Sequence, residues 1–535
     1  MSVLLTRKAV LQGAMETSYN SPASVGNGDG FLVSNPAFTI KPNVLERNFV
    51  RQDLSPMPFI IGRKLASMEF ETELRGNGLQ NSGNASDAAL ITRLFRASGY
   101  RLSSQLTQTV KGPFGQGQPS VEVSWAAPSA TSASDVFTVT GQPNDGDKLA
   151  FGGQTYTWKT ALTPAVGEVL LGSSAANALA NMKNAVNGGP GAGTAYANGT
   201  TANKFFTASN TASALTIAHK SAGTVGNGRA VSYTPSGSSM GSWATPATTG
   251  GRDIASNSDV IAYYLTVDTA GASGAAKITV TSDTAGEGNA SAVVTSGSPI
   301  TVGGKGLTLT PTWSGNLAPG QSWTVWLMPV GLSLDPISDN FESITLVLHK
   351  DGVLHEMPGS YGTFEITAQA GDFATVKWTF TGTYVEPTDD PNPSPIFERT
   401  LPSQVELARL RVGGFAAVVE KFTFNQMNDI QIRPDVSSSD GYVGTRIVSR
   451  KPEGGINPEA DLVENNDFWG QLAAAQEMPL QLRIGHAPGN TVWMLFPTVQ
   501  YSGLTYTDRN GILAYDAGIR FARSFGNDEA CFYFC

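Results

Sequence analysis

Gly237-Ser238-Ser239-Met240-Gly241 has the G-x-S-x-G spacing of a nucleophile elbow, where a strained strand-to-helix turn presents a serine hydroxyl to a histidine base. Here it lies in a tract of small residues with no strand-turn-helix setting, and only four His are available as base. His349 and His355, with Glu356 adjacent, could begin a metal site. Zinc needs three or four convergent ligands, however, and no further His or Cys lies nearby in the sequence, so surface strand positions are expected. The Gly-rich runs Gly188 to Gly193 and Gly226 to Gly228 lack the Lys-Ser/Thr of a phosphate loop and read as loops. Asp145 with Asp147, and Asp389 with Asp390, read as solvated acidic turns rather than a full calcium loop. No catalytic residue, cofactor or metal is therefore expected, and the chain does not read as an enzyme. One charge pattern remains: Glu69, Glu71 and Glu73 alternate with apolar residues and so line one side of a strand.

The strand that carries them, Arg63 to Gly76, is one of many alternating segments. In Ile344 to Tyr384, two apolar runs meet across Asp351-Gly352, a strong hairpin signal. A second hairpin then places Val376, Trp378 and Phe380 on one face. A helix capped by Ser86, with Leu90, Ile91, Leu94 and Phe95 as its apolar stripe and Gly99 as its stop, is expected to cover such a sheet. The composition agrees: 59 Gly, 30 Pro and 15% charged residues favour short strands joined by turns. At 535 residues, several domains are expected. The net charge of −9 argues against a protein that grips nucleic acid, which needs phosphate neutralisation, while leaving room for contact with DNA that slides. Cys531 and Cys535 are the only cysteines, so no disulfide framework supports the fold. No run reaches the length of a membrane span and no secretory signal is legible; a soluble protein is expected.

In chain order, residues 1–58 read as a polar arm with little core. Residues 59–112 and 335–388 read as one domain split by two insertions: an α+β module over 113–250, with a helix from Ser174 to Val186, and a β-sandwich over 251–334. A Pro-rich linker over 389–403 precedes a second domain over 404–535. There, Lys421, Thr423, Asn425, Asp429, Gln431 and Arg433 are expected on one face of a strand opposite Phe422, Phe424, Ile430 and Ile432. A helix from about Asp467 to Gln476, capped by Asn466, and two hairpins follow. The order strand, helix, hairpin, hairpin thus occurs twice and reads as an internal duplication.

The arm NPAFTIKPNVLERNFVRQDLSP, the strand IGRKLASMEFETELRGNG, the helix ALITRLFRASGY, the hairpin ITLVLHKDGVLHEMPGSYGTFEI, the segment VKWTFTGTYVEPTDDPNPSP and the final VQYSGLTYTDRNGILAYD together resemble the tail tube (major tail) proteins of long-tailed, siphovirus-like bacteriophages. The resemblance covers roughly residues 15–112 and 338–525. It implies a mainly β chain with two tail-tube-type β-sandwich or barrel domains, each with a short packing helix, plus two small β-rich inserted domains. It further implies a structural virion protein whose sheets join between subunits around a channel for genome DNA. Two copies per chain would make a ring a trimer with pseudo-sixfold symmetry, stacked along a tail assembled in the bacterial cytoplasm. Expected partners are other copies of the chain, the tape measure, terminator and distal tail proteins, and DNA that passes without specific binding; no membrane is expected. The channel wall would comprise Glu69, Glu71 and Glu73 with Thr423, Asn425, Asp429 and Gln431. Two alternatives stand beside this: a distal tail or baseplate ring, and a host-surface or glycan-binding adhesin. The adhesin would expose aromatic clusters on the modules, for example around Trp323 and Trp326.

Overall fold

The computed structural model describes residues 5, 7–47, 49, 50, 52, 55, 57–77, 85–106, 109–115, 120–125, 132–221, 224–250, 260–284, 286–303, 305, 307–406, 409–413, 415–438 and 441–535. The chain is mainly β, as expected, with three α-helices among the described residues: α1 (Ile91–Ala97), α2 (Ala175–Asn187) and α3 (Phe468–Ala473). Within a 17-stranded sheet, eight strands form the central run, called the central sheet below: β1 (Ser34–Leu45), β2 (Ile60–Glu73), β3 (Val353–Gln369), β4 (Thr375–Thr383), β5 (Val419–Asn425), β6 (Glu453–Pro458), β7 (Val492–Arg509) and β8 (Ile512–Ala522). Their spatial order is β1-β2-β4-β3-β5-β6-β8-β7, antiparallel throughout. This sheet does not close on itself. The outer edge of β1, and that of β7 from Gln500 onward, carry no partner strand among the described residues.

The turns follow from residue type. Asp351 and Gly352 both have positive φ (50° and 102°), as do Asn510 and Gly511 (53° and 87°), the geometry of a two-residue hairpin turn that follows strand twist. Alternation then buries Val376, Trp378 and Phe380 and leaves Lys377 outside. Trp378 pairs with Phe364 on β3 and Phe70 on β2, and its indole N–H donates to Thr72 Oγ1 (2.9 Å), so its one polar group is satisfied inside the core. Phe95 of α1 meets the Phe364 and Trp378 rings edge-on at 4.9 and 5.0 Å. Phe532, on the C-terminal strand Cys531–Phe534, touches Phe95, Phe364 and Phe424, which ties both halves into one core. Cys531 and Cys535 are buried and form no disulfide.

The two halves repeat strand by strand. Met68 on β2 stands between Phe38 on β1 and Phe380 on β4, and Phe380 faces Gly362 on β3. Gly454 on β6 likewise stands between Phe424 on β5 and Ile519 on β8, and Ile519 faces Tyr501 on β7. Near a proline, Pro358 in β3 and Pro497 in β7, each long strand leaves one neighbour, Ile344–Lys350 or Met478–Ile484, and takes up another, β4 or β8. The halves meet with a shift: Phe424 faces Ile366, four residues beyond the Gly362 that faces Phe380.

Several expectations change. The arm supplies Ala9–Met15, paired with Ile344–Lys350, and the edge strand β1, because its scattered apolar residues alternate along existing strands. Ser86 lies in a short 3-10 turn (Ala85–Asp87), and α1 begins only at Ile91, with Leu90 at its N-cap and no side-chain cap. In α3 the cap is Asp467, whose carboxylate accepts the Gly470 N–H at 2.7 Å; Asn466 instead accepts from Gln471. Thr109–Phe114 and Ser120–Trp125 pair with Ser322–Met328 and Leu307–Thr312, so the sandwich begins before the α+β module rather than after it. The expected boundary at 250/251 abuts residues 251–259, which lie outside the described residues.

The described residues between 132 and 250 form a separate compact unit around Trp158, Phe206, Leu179 and Met182. Its helix α2 is capped by Ser174, whose hydroxyl accepts the Asn177 N–H (3.2 Å), and is ended by Gly188 in the left-handed conformation (φ 64°), where a side chain would be strained.

Candidate channel-lining face

Period-two alternation gives the central sheet one apolar side, against α1 and the C-terminal strand, and one polar side. On the polar side, facing residues form a continuous row from edge to edge: Ser34, Glu71, Lys377, Glu365, Asn425, Glu453, Arg520, Gln500. All eight are exposed or half-buried. Acids and bases alternate along part of it, so opposite charges stand across neighbouring strands.

The expected residues Glu69, Glu71, Glu73, Thr423 and Asn425 all lie on this face, brought together across more than three hundred residues of sequence. Glu69 faces Thr379, and Glu73 faces Thr375. Two of the carboxylates have local partners: Ser34 Oγ lies 3.4 Å from Glu71 Oε2, and Arg75 Nη1 lies 3.2 Å from Glu73 Oε2. The Asn425 Oδ1 accepts the Met427 N–H (3.0 Å), closing the turn at the end of β5.

Asp429 and Gln431 do not share the face. The chain from Lys421 to Arg433 is not one strand: Met427 takes a positive φ (49°), and the backbone re-enters as a two-stranded ribbon of Asn428–Pro434 with Tyr442–Arg450. Pro452 opposite the break has no N–H to continue the ladder there. The ribbon rests on the first half of the molecule. Asn428 Nδ2 donates to the Ser98 and Gly362 carbonyls (2.7 and 2.8 Å), and the Tyr442 hydroxyl donates to the Lys64 carbonyl (2.7 Å). Asp429 accepts from Gln431 (2.6 Å) on the exposed side of that ribbon.

Glu365, Glu453, Asp516 and Arg520, which the sequence did not single out, share the polar face with Lys377 and Lys421, both expected on the polar side of their strands. Alternation in each strand carried that signal, but only the sheet order puts them on one surface. The face thus carries both signs of charge, with carboxylates in excess among the residues named.

Elsewhere the chemistry of single residues is structural. No group of three or more His, Cys, Asp or Glu able to hold a metal occurs among the described residues. His349 is buried and His355 stacks on Phe38, with centroids 4.5 Å apart, rather than standing on the surface as expected. Trp323 and Trp326 are 3% and 1% exposed, so these two residues, given as an example of exposed aromatics, are inside the protein. Trp326 instead donates to Gln481 Oε1 (2.7 Å) beside Trp493 and Tyr533 and anchors the sandwich to the second half. No protein family and no curated protein matches the chain.

Proposed function

We propose that this chain is a structural protein of a phage tail tube, three copies forming each ring and stacked rings forming the channel through which genome DNA leaves the virion. The observation that carries the reading is the central sheet: eight strands in two four-strand repeats, polar on one face, with the outer edge of β1 and that of β7 from Gln500 onward unpaired among the described residues. Open edges of this length invite pairing with another chain, and closure into a barrel removes them.

The repeat also supports a closed geometry. A shift of four residues at about 3.3 Å each, over four strands about 4.8 Å apart, corresponds to a strand tilt of roughly 35°, within the range of closed barrels. Six repeats at that tilt enclose a barrel roughly 45 Å across between backbones, wide enough for a nucleic-acid duplex with side chains pointing inward. With the polar face inside, carboxylates in excess repel phosphates, and no basic track holds the DNA in place. This function calls for no catalytic step, and its proposed partners are the tape measure, terminator and distal tail proteins.

Electron microscopy of the purified chain at rising concentration tests the reading. Stacked tubes are the expected product; a protein that stops at a single ring would instead fit a distal tail component, and one that stays monomeric would contradict both.

A further inference from the structure

We infer that copies join through a seam that repeats, between molecules, the join already present between the two halves of one molecule; the inference rests on the ring reading above. The internal join has two parts. The β3 segment Glu365–Gln369 pairs with Asn425–Lys421 of β5, and the ribbon that follows β5 lies over the first half. At its centre Ile366 and Phe424 are 0% exposed, and Ile447 on the ribbon is 5% exposed.

The strand-by-strand repeat names the outer counterparts. Phe424 corresponds to Phe38 on β1. Ile366 faces Val376, and its counterpart on β7, displaced one residue by the bulge between Tyr501 and Gly503, is Tyr506, which faces Tyr515. Ile447 on the ribbon corresponds to Ile61 on the far part of β2, paired there with Val44. Phe38 is already half-buried against His355, but the other outer counterparts are open: Tyr506 is 59% and Ile61 51% exposed, and beside it Leu45 and Ile60 are 47% and 53% exposed. The apolar surface left open is the surface that the internal join buries.

The occupant is therefore a second copy. Thr505, Tyr506 and Thr507 of one copy face Thr39, Phe38 and Ala37 of the next, and the far end of the β1–β2 hairpin lies over the neighbour's second half. Pro36 and Pro42 bracket this window on β1, and a proline on an edge restricts pairing by arbitrary strands. The seam keeps the four-residue shift, so the polar row continues from copy to copy along a helical path.

A T39C/T505C double variant tests the register. Both positions are exposed on the polar face, and facing residues of an antiparallel pair have Cα atoms about 4.5–5.5 Å apart, within disulfide reach. Mild oxidation of the assembled protein should give linked dimers and trimers on a non-reducing gel. Each single variant, and the unshifted pair T39C/Q500C, should give none. Rings that form without this link, or that link through the unshifted pair, overturn the seam and leave the ring reading standing. An unmodified chain that never assembles overturns both. Hydrogen exchange on the unmodified chain adds an independent readout: amides of residues 37–41 and 502–507 should gain protection on assembly, and unchanged exchange there overturns the seam even where rings form.

Discussion

Trp378 concentrates what the core asks of a single residue. It is fully buried, stands across from Phe70 and Phe364, and has its indole N–H satisfied by Thr72. W378A should cost about 3–5 kcal/mol of stability, the usual range for truncating a buried large aromatic, read as a lower denaturant midpoint. A second residue-scale device is ionic. Lys111, on the strand Thr109–Phe114, donates to Ser333 Oγ (2.9 Å) and to Asp335, joining the sandwich to the strand Gly331–Pro336. Burial works to raise the Asp335 carboxyl, but Lys111 and Ser333 more than reverse it, so its pKa lies below the ordinary value. A depressed carboxylate contributes stability above its unfolded pKa and loses it as pH falls through the folded one. Thermal stability should therefore fall as pH drops below about 4, and less so in D335N. K111M at neutral pH leaves the carboxylate without its cation and should cost about 1–3 kcal/mol.

Helix α2 shows how far an element is written locally. Ser174 and Gly188 bracket it, its stripe of Ala178, Leu179, Met182 and Val186 is buried, and the sequence marks its limits to within a residue. S174A should cost about 1 kcal/mol, seen as faster amide exchange in the first turn of α2. The hairpins were equally legible, since Asp351-Gly352 and Asn510-Gly511 fix register by backbone conformation alone. What was not legible is long-range. Ser86 has the chemistry of a cap, yet the helix starts five residues later, because burial of Ile91, Leu94 and Phe95 decides where it docks. Asp429 and Gln431 keep the alternation of Thr423 and Asn425, but a positive φ at Met427 and Pro452 across from it end one ladder and begin another. The ribbon and the β1–β2 hairpin make a paired prediction. I447S, inside the internal join, should destabilise the monomer by about 2–4 kcal/mol. I61S, at the exposed counterpart, should leave monomer stability nearly unchanged and weaken assembly, measured by sedimentation.

At the scale of the whole molecule, five of the seven expected wall residues share one face, and the sheet order adds acids and bases that no single strand reveals. Reversing three charges in E69K/E71K/E73K would give that face a basic track; on the tail-tube reading proposed above, particles carrying it should release DNA more slowly at low salt, with the defect relieved as salt screens the phosphate contacts. The central claim is that this polar face is the inside of a closed barrel of copies. A three-dimensional reconstruction of the assembled protein by electron microscopy tests it most directly. The expected map shows a ring of three chains with one continuous sheet and with Glu69, Glu71, Glu365 and Glu453 pointing into the channel; the same residues on the outer surface, or a ring in which β1 and β7 remain unpaired, would overturn the proposal.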